Sequence, residues 1–198
     1  VEPSALSIFD PFVANFLSAK VGQSVRNVFG GRIRAVISGG AALSSNIART
    51  FIGLGVNILQ GYGMTEASPV IAVNRFECNH PTTVGVPLVN IDVKLGDNDE
   101  LMVKGPILMS GYWNRPEDTR AVITEDGWLK TGDQADIYSD GHIRIKGRIK
   151  EIIVTSTGEK IPPADLEQAI EVDPLFEQVM AVGEDRPYIA ALAVVNPT

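Results

Sequence analysis

A chain of 198 residues that is 44% hydrophobic and 21% charged has an ordinary globular composition, long enough for one large or two small domains with a sizeable core. Its formal net charge of −7 argues against a nonspecific nucleic-acid binder, which needs a clustered basic surface. The lone Cys78 excludes an internal disulfide and fits a reducing compartment. The sequence has neither a signal peptide nor an apolar run of the roughly 18 to 20 residues that span a bilayer, so a cytoplasmic or membrane-peripheral location is expected. Val1 in place of Met, and an ending just after a strand-like run, read as the cut ends of something longer.

In chain order, Asp10-Pro11 opens a predicted helix with Asp10 as N-cap, Pro11 at the first helical position and Phe12, Val13, Phe16 and Leu17 on its buried face. That helix should stop before Gly30-Gly31. A strand over 33–37, the turn Ser38-Gly39-Gly40-Ala41, a helix over 45–54 capped by Ser44 and a strand over 56–59 follow. This order predicts an α/β unit with a parallel sheet. From about residue 70, short segments at 84–86, 91–95, 100–104 and 108–112, punctuated by Gly and Pro, predict a β-rich subdomain. A short helix is expected from Pro116, strand and turn over 127–133, and a hairpin at Ser139-Asp140-Gly141. A boundary is placed at Gly147-Arg148-Ile149-Lys150. Beyond it, a strand over 151–155, a helix over 163–172 and strands over 178–183 and 188–195 predict a separate α+β arrangement.

The run Gln60 to Glu66, QGYGMTE, carries the most chemistry. Glycines at 61 and 63 let backbone approach a ligand, Tyr62 offers a flat face to a heteroaromatic ring, Thr65 a hydroxyl to an anionic oxygen, and Glu66 a carboxylate to Mg2+. A ring, a phosphate and a metal together point to a nucleotide, although such a run alone is most often only a structured loop. The turn at Gly39, Gly40 and Ala41 follows a strand, where open α/β sheets form ligand crevices, but neither a Walker A loop nor a G-x-G-x-x-G is present. Asp133, behind Gly132, can accept both hydroxyls of a ribose or merely cap a turn, and Arg148 can reach the same sugar or stand on the surface. His80 and His142 read as structural.

Taken together, QGYGMTE, VGVPL at 84–88, ELMVKGPILMSGYWNRPE at 100–117, GWLKTGD at 127–133 and GRIKEIIVTSTGEKIPPADLE at 147–167 resemble, in order, the motif series of the adenylate-forming superfamily. Acyl-CoA synthetases, peptide-synthetase adenylation domains and firefly luciferase belong to it. Within that superfamily the chain looks most like bacterial long-chain fatty-acid-CoA ligases. The resemblance implies the end of a large N-terminal AMP-binding domain over 1–146, a hinge over 147–150 and the first part of a small C-terminal domain over 151–198. It also implies an ATP-dependent reaction in two steps. A fatty acid is activated to an acyl-adenylate with release of pyrophosphate, and the thiol of CoA then displaces AMP.

Residue by residue, the resemblance places Gly39, Gly40 and Ala41 along the acyl and adenine pockets, with Gly61, Tyr62 and Gly63 beside the nucleotide. Tyr62 would stack on adenine, Thr65 bond a phosphate and Glu66 hold Mg2+. Asp133 and Arg148 would hold the ribose, and Lys150 would be the hinge. Two features depart from the pattern. The Ser/Thr/Gly-rich phosphate loop ending in Pro-Lys and the family's C-terminal lysine are not in these 198 residues, so the isolated chain is expected to be inactive. Thr157-Gly158 stands where members often carry two glycines near the thiol. A ligase that loads a carrier protein, and a noncatalytic nucleotide-binding module, are the alternatives.

Overall fold

In the computed structural model of the protein, residues 11–41 and 43–197 are described, with side chains from residue 20 onward. The predicted Asp10 cap and the buried face at Phe12, Val13, Phe16 and Leu17 lie outside the described residues and side chains. Helix α1 (Pro11–Val28) ends where Gly30 and Gly31 were expected to stop it. Both glycines are left-handed, and the Gly31 N–H returns to the Arg26 carbonyl at 2.8 Å, which occupies one of the helix's last carbonyls.

Strand β1 (Val36–Ser38), helix α2 (Ser45–Gly53) and strand β2 (Ile58–Gly63) form the predicted crossover unit, and β1 pairs with β2 in parallel. Ser44 precedes α2, but its side chain makes no capping hydrogen bond. Strand β2 begins later than expected and runs through the glycines, pairing antiparallel with β3 (Val70–Val73), which pairs with β4 (Val86–Pro87). Residues 60–63 are therefore strand. Only Met64 onward is loop, with a single 3₁₀ turn over Thr65–Ala67.

Strands β5 (Asp92–Leu95), β6 (Glu100–Lys104), β7 (Leu129–Ile137) and β8 (Ile143–Arg148) make a four-stranded antiparallel meander, with α3 (Pro116–Val122) inserted between β6 and β7. The expected strand over 108–112 does not form. Pro106 lacks an N–H, and the Met109 N–H is taken by the Glu66 carbonyl at 2.8 Å instead of a neighbouring strand. Hairpins β9 (Ile153–Val154)/β10 (Lys160–Ile161) and β11 (Phe176–Val182)/β12 (Ala190–Val195) complete the described chain, with α4 (Pro163–Glu171) against β11.

The main core is built from alternate residues of the meander and the β3 region: Ala67, Ile71, Ala72, Ile91, Leu101, Val103, Leu129, Ala135 and Ile143. Period-2 alternation puts Leu101 and Val103 on one face of β6, whereas the consecutive Ile71 and Ala72 are both buried in β3. The Val84 N–H bonds the Ile143 carbonyl at 2.8 Å and the Ile143 N–H the Gly85 carbonyl at 2.9 Å, which joins the two sheets across this core. Among the described residues, no helix is long and apolar enough to cross a membrane.

Candidate active site

The C-terminal ends of β1 and β2 open on a cavity of about 590 Å³, lined by Gly40, Ala41, Gln60–Gly63, Asp133 and residues 144–148. This is where parallel strands ordinarily leave a ligand crevice. Gln60 is buried, and its Nε2 donates to the Pro81 carbonyl at 2.7 Å, which ties the opposite rim to β2. Gly63 serves the fold as well as the rim. A Cβ there would lie 1.7 Å from the Pro69 carbonyl oxygen, so the return into β3 tolerates no side chain.

Asp133 is presented by an irregularity in β7. Glu100 pairs with Gln134 but Met102 with Lys130, so Thr131–Asp133 bulge out of the β6 ladder. Gly132 takes the required left-handed backbone at φ 73°. Its N–H donates to Glu100 Oε1 at 2.9 Å, Thr131 Oγ1 donates to the Leu101 carbonyl at 2.7 Å, and the Asp133 N–H donates to Thr131 Oγ1 at 3.1 Å. These bonds, and one from Arg148 Nη1 to the Thr131 carbonyl at 3.3 Å, tie the bulge to β6 and β8. On its other edge, β7 places Asp133 directly opposite Arg148 of β8.

These constraints produce a three-residue cluster on the cavity wall. Arg148 Nε lies 3.0 Å from Asp133 Oδ1, and the Tyr62 hydroxyl donates to Asp133 Oδ2. Asp133 is only 5% exposed, whereas the Arg148 side chain is 54% exposed. Burial pushes the Asp133 carboxyl up from the usual carboxylate range, and the Tyr62 hydrogen bond and the Arg148 charge pull it partly back. Burial, and then the bond to Asp133, push the Tyr62 phenol well above its ordinary range, so it remains a donor. Its ring packs against the main core.

Thr65 and Glu66 follow on the 3₁₀ turn and do not line this cavity. Thr65 is exposed. Glu66 Oε1 accepts a 2.7 Å hydrogen bond from the Tyr112 hydroxyl, and this bond is the main cause of an upward shift in the Tyr112 phenol. Among the described residues, no group of three or more His, Cys, Asp or Glu converges as a metal site. A solitary carboxylate nonetheless fits Mg2+, which is commonly held by one or two carboxylates, water and substrate phosphates.

Of the other predicted site residues, Gly39 sits beside the cavity, where an added Cβ would lie 3.2 Å from the Gly61 carbonyl. Lys150 lies exposed in a 3₁₀ turn over Ile149–Glu151, between β8 and β9. Thr157 and Gly158 form the tip of the β9/β10 hairpin, away from the cavity lining. Thr157 is exposed, with its hydroxyl 2.8 Å from that of Thr155. His142 is buried with Nε2 2.9 Å from the Cys78 carbonyl, His80 Nδ1 pairs with the Thr82 hydroxyl at 3.0 Å, and neither lines the cavity. Sequence reasoning missed Arg144 and Lys146 of β8 and Gln168 of α4, all on the cavity wall. Strand alternation in β8 carried the only signal for the first two. Tyr112 was also missed, although it lies inside a quoted motif.

Residues 4–113 match the family model described as AMP-binding enzyme, and residues 150–198 match that of the AMP-binding enzyme C-terminal domain. The chain belongs to the AMP-binding enzyme family. Among curated AMP-binding relatives, it is 39% identical over 175 residues to the long-chain-fatty-acid–CoA ligase FadD15 of Mycobacterium bovis, covering 88% of this chain and 29% of that protein. It is 33% identical over 184 residues to a chloroplastic long-chain-fatty-acid–[acyl-carrier-protein] ligase of Arabidopsis thaliana, covering 82% of this chain and 25% of that one. The ATP-bound MatB of Rhodopseudomonas palustris superposes with a TM-score of 0.76 at 26% identity, over 95% of this chain and 43% of MatB. The O-succinylbenzoate coenzyme A synthetase of Bacillus subtilis, solved with ATP and a magnesium ion, gives 0.72 at 27% identity, over 83% of this chain and 37% of the synthetase. The chain thus spans less than a third of the length of these curated relatives. The mixed α/β architecture is that of adenylate-forming ligases.

Proposed function

We propose that this chain is the part of an ATP-dependent acid–thiol ligase that holds the adenosine half of the nucleotide, and that the whole enzyme activates a long-chain fatty acid and passes it to CoA. One observation carries the reading: a buried carboxylate, a guanidinium and an aromatic ring meet at Asp133, Arg148 and Tyr62 on the wall of a cavity at the strand ends. A carboxylate is acceptor-only and has about four lone-pair sites, so Asp133 can take a vicinal diol while keeping its present partners. The Tyr62 ring would lie against the base, with its hydroxyl anchored to the same carboxylate.

Activation requires the fatty-acid carboxylate to attack the α-phosphate of ATP, with pyrophosphate leaving. Charge builds on the phosphoryl oxygens, and fixed donors and positioning lower the barrier. Thr65 would donate its hydroxyl there. Glu66 would hold Mg2+, which neutralises phosphate charge when bound. The same adenosine grip would keep the acyl-adenylate in place while the CoA thiol displaces AMP. Residues 1–146 are read as the end of the large domain, 147–150 as the hinge around Lys150, and 151–198 as the start of the small domain. The low coverage of the relatives supports the prediction that the 198 residues alone do not catalyse the reaction. ATP–pyrophosphate exchange by the isolated chain would refute that prediction. Absence of fatty-acid-dependent exchange in the full-length protein would refute the activity itself.

The Arabidopsis relative, named for an acyl-carrier-protein acceptor, supports a second reading in which the acyl group goes to a carrier protein. Thr157, in place of a glycine, favours it slightly. Offering CoA or carrier protein to the full-length enzyme charged with fatty acid and ATP separates the two.

A further inference from the structure

We propose that Tyr112 is a positioning residue that orients the Glu66 carboxylate, so that its second oxygen faces the divalent cation of the bound nucleotide. The proposal rests on the ligase reading above and on a chain of contacts outside the nucleotide cavity.

Glu66 sits on a single 3₁₀ turn, and a glutamate there is free to sample several rotamers unless something holds it. The loop between β6 and α3 grips it at both ends: the Met109 N–H donates to its backbone carbonyl at 2.8 Å, and the Tyr112 hydroxyl to Oε1 at 2.7 Å. Among the described residues, Oε2 accepts no hydrogen bond. Tyr112 is itself fixed by the first turn of α3. Its N–H donates to Thr119 Oγ1 at 2.9 Å, and its carbonyl accepts the Arg115 N–H at 3.2 Å. Thr119 Oγ1 in turn donates to the Arg115 carbonyl at 2.9 Å. At Gly111 a Cβ would lie 2.9 Å from Thr119 Cγ2, so the backbone approaches α3 as closely as it can just before the tyrosine. The result is a relay from α3 through Tyr112 to one oxygen of Glu66, leaving the other for a cation.

Partners of metal-ligating carboxylates fix their orientation, and their loss characteristically weakens metal binding about 10- to 100-fold. The attachment of the loop does not depend on the phenol oxygen, because the Met109 and Thr119 hydrogen bonds remain in a Tyr112→Phe variant. The full-length ligase, with a non-cleavable ATP analogue present, would be titrated with Mn2+ and the free ion followed by electron paramagnetic resonance. Tyr112→Phe is expected to weaken Mn2+ binding about 10-fold or more, with metal-free AMP affinity and thermal midpoint unchanged. Unchanged Mn2+ affinity, or an equal loss of AMP affinity, overturns the proposal. Glu66→Gln serves as the reference. If it abolishes Mn2+ binding while Tyr112→Phe leaves the affinity unchanged, only the role of Tyr112 falls. If Glu66→Gln leaves Mn2+ binding intact, the assignment of Glu66 falls, and the role of Tyr112 with it.

Discussion

Replacing Asp133 with alanine separates the structural from the binding role of the cavity wall. Three effects on stability oppose one another. Truncation leaves the Tyr62 hydroxyl without its acceptor, a loss of about 1–3 kcal/mol for a buried polar group. It removes the ion pair with Arg148, but that side chain is 54% exposed and can turn to water, so the loss is about 1 kcal/mol or less. It also relieves the burial of a carboxylate whose raised pKa shows that desolvation outweighs its two partners. The net change should therefore be small, about 1–2 kcal/mol. The loss in nucleotide binding should be much larger. Two hydrogen bonds from a ribose diol to a charged acceptor contribute about 1.5–3 kcal/mol each, which corresponds to roughly two to four orders of magnitude in Kd. Calorimetric titration of the full-length protein with AMP, beside a thermal melt of the same variant, reads both. A variant that binds AMP within a few-fold of the parent would refute the ribose assignment, and one that loses its fold while the parent is stable would refute the balance of stability effects.

Three further outcomes follow from the same geometry. Asp133 is raised above its ordinary value of 3.8, so the folded state holds this proton more tightly than the unfolded state. Its contribution to stability is thus greatest at low pH and declines as pH rises from 3.8 through the folded value. The urea midpoint of the parent should fall over that window relative to Asp133→Asn, and a parallel pair of curves would contradict the shift. Tyr62→Phe removes a donor that lowers the Asp133 pKa, so it should widen the same window upward and cost about 1 kcal/mol of stability, read by urea unfolding. Gly63→Ala should destabilise by about 1–3 kcal/mol or more through overpacking, because the new Cβ would meet the Pro69 carbonyl oxygen at 1.7 Å. An unchanged urea midpoint would contradict the described β2/β3 return.

Much of this architecture was legible because local rules decide it. Paired glycines end α1, Asp-Gly marks the β7/β8 hairpin, and a strand, turn, helix and strand in succession announce the parallel pair. The misread segments are those whose backbone partners lie outside the segment itself. QGYG looked like a loop because glycine is poor in strands, yet β3 supplies a partner that holds it extended. The segment 108–112 alternates like a strand, but it gives the Met109 N–H to Glu66, 43 residues earlier in sequence.

The candidate site divides the same way. Residue types alone determined which groups can serve a nucleotide, since an aromatic ring, a hydroxyl, carboxylates and a guanidinium have donor and acceptor capacities that do not depend on the fold. Their order along the chain was enough to identify the family. Tertiary structure alone decided which of them meet. The bulge at 131–133 and the register of β7 on β8 place Asp133 opposite Arg148, and the same packing brings Tyr62 across 71 residues of sequence to the second carboxylate oxygen. Register is a property of two paired strands, and neither strand's sequence contains it by itself.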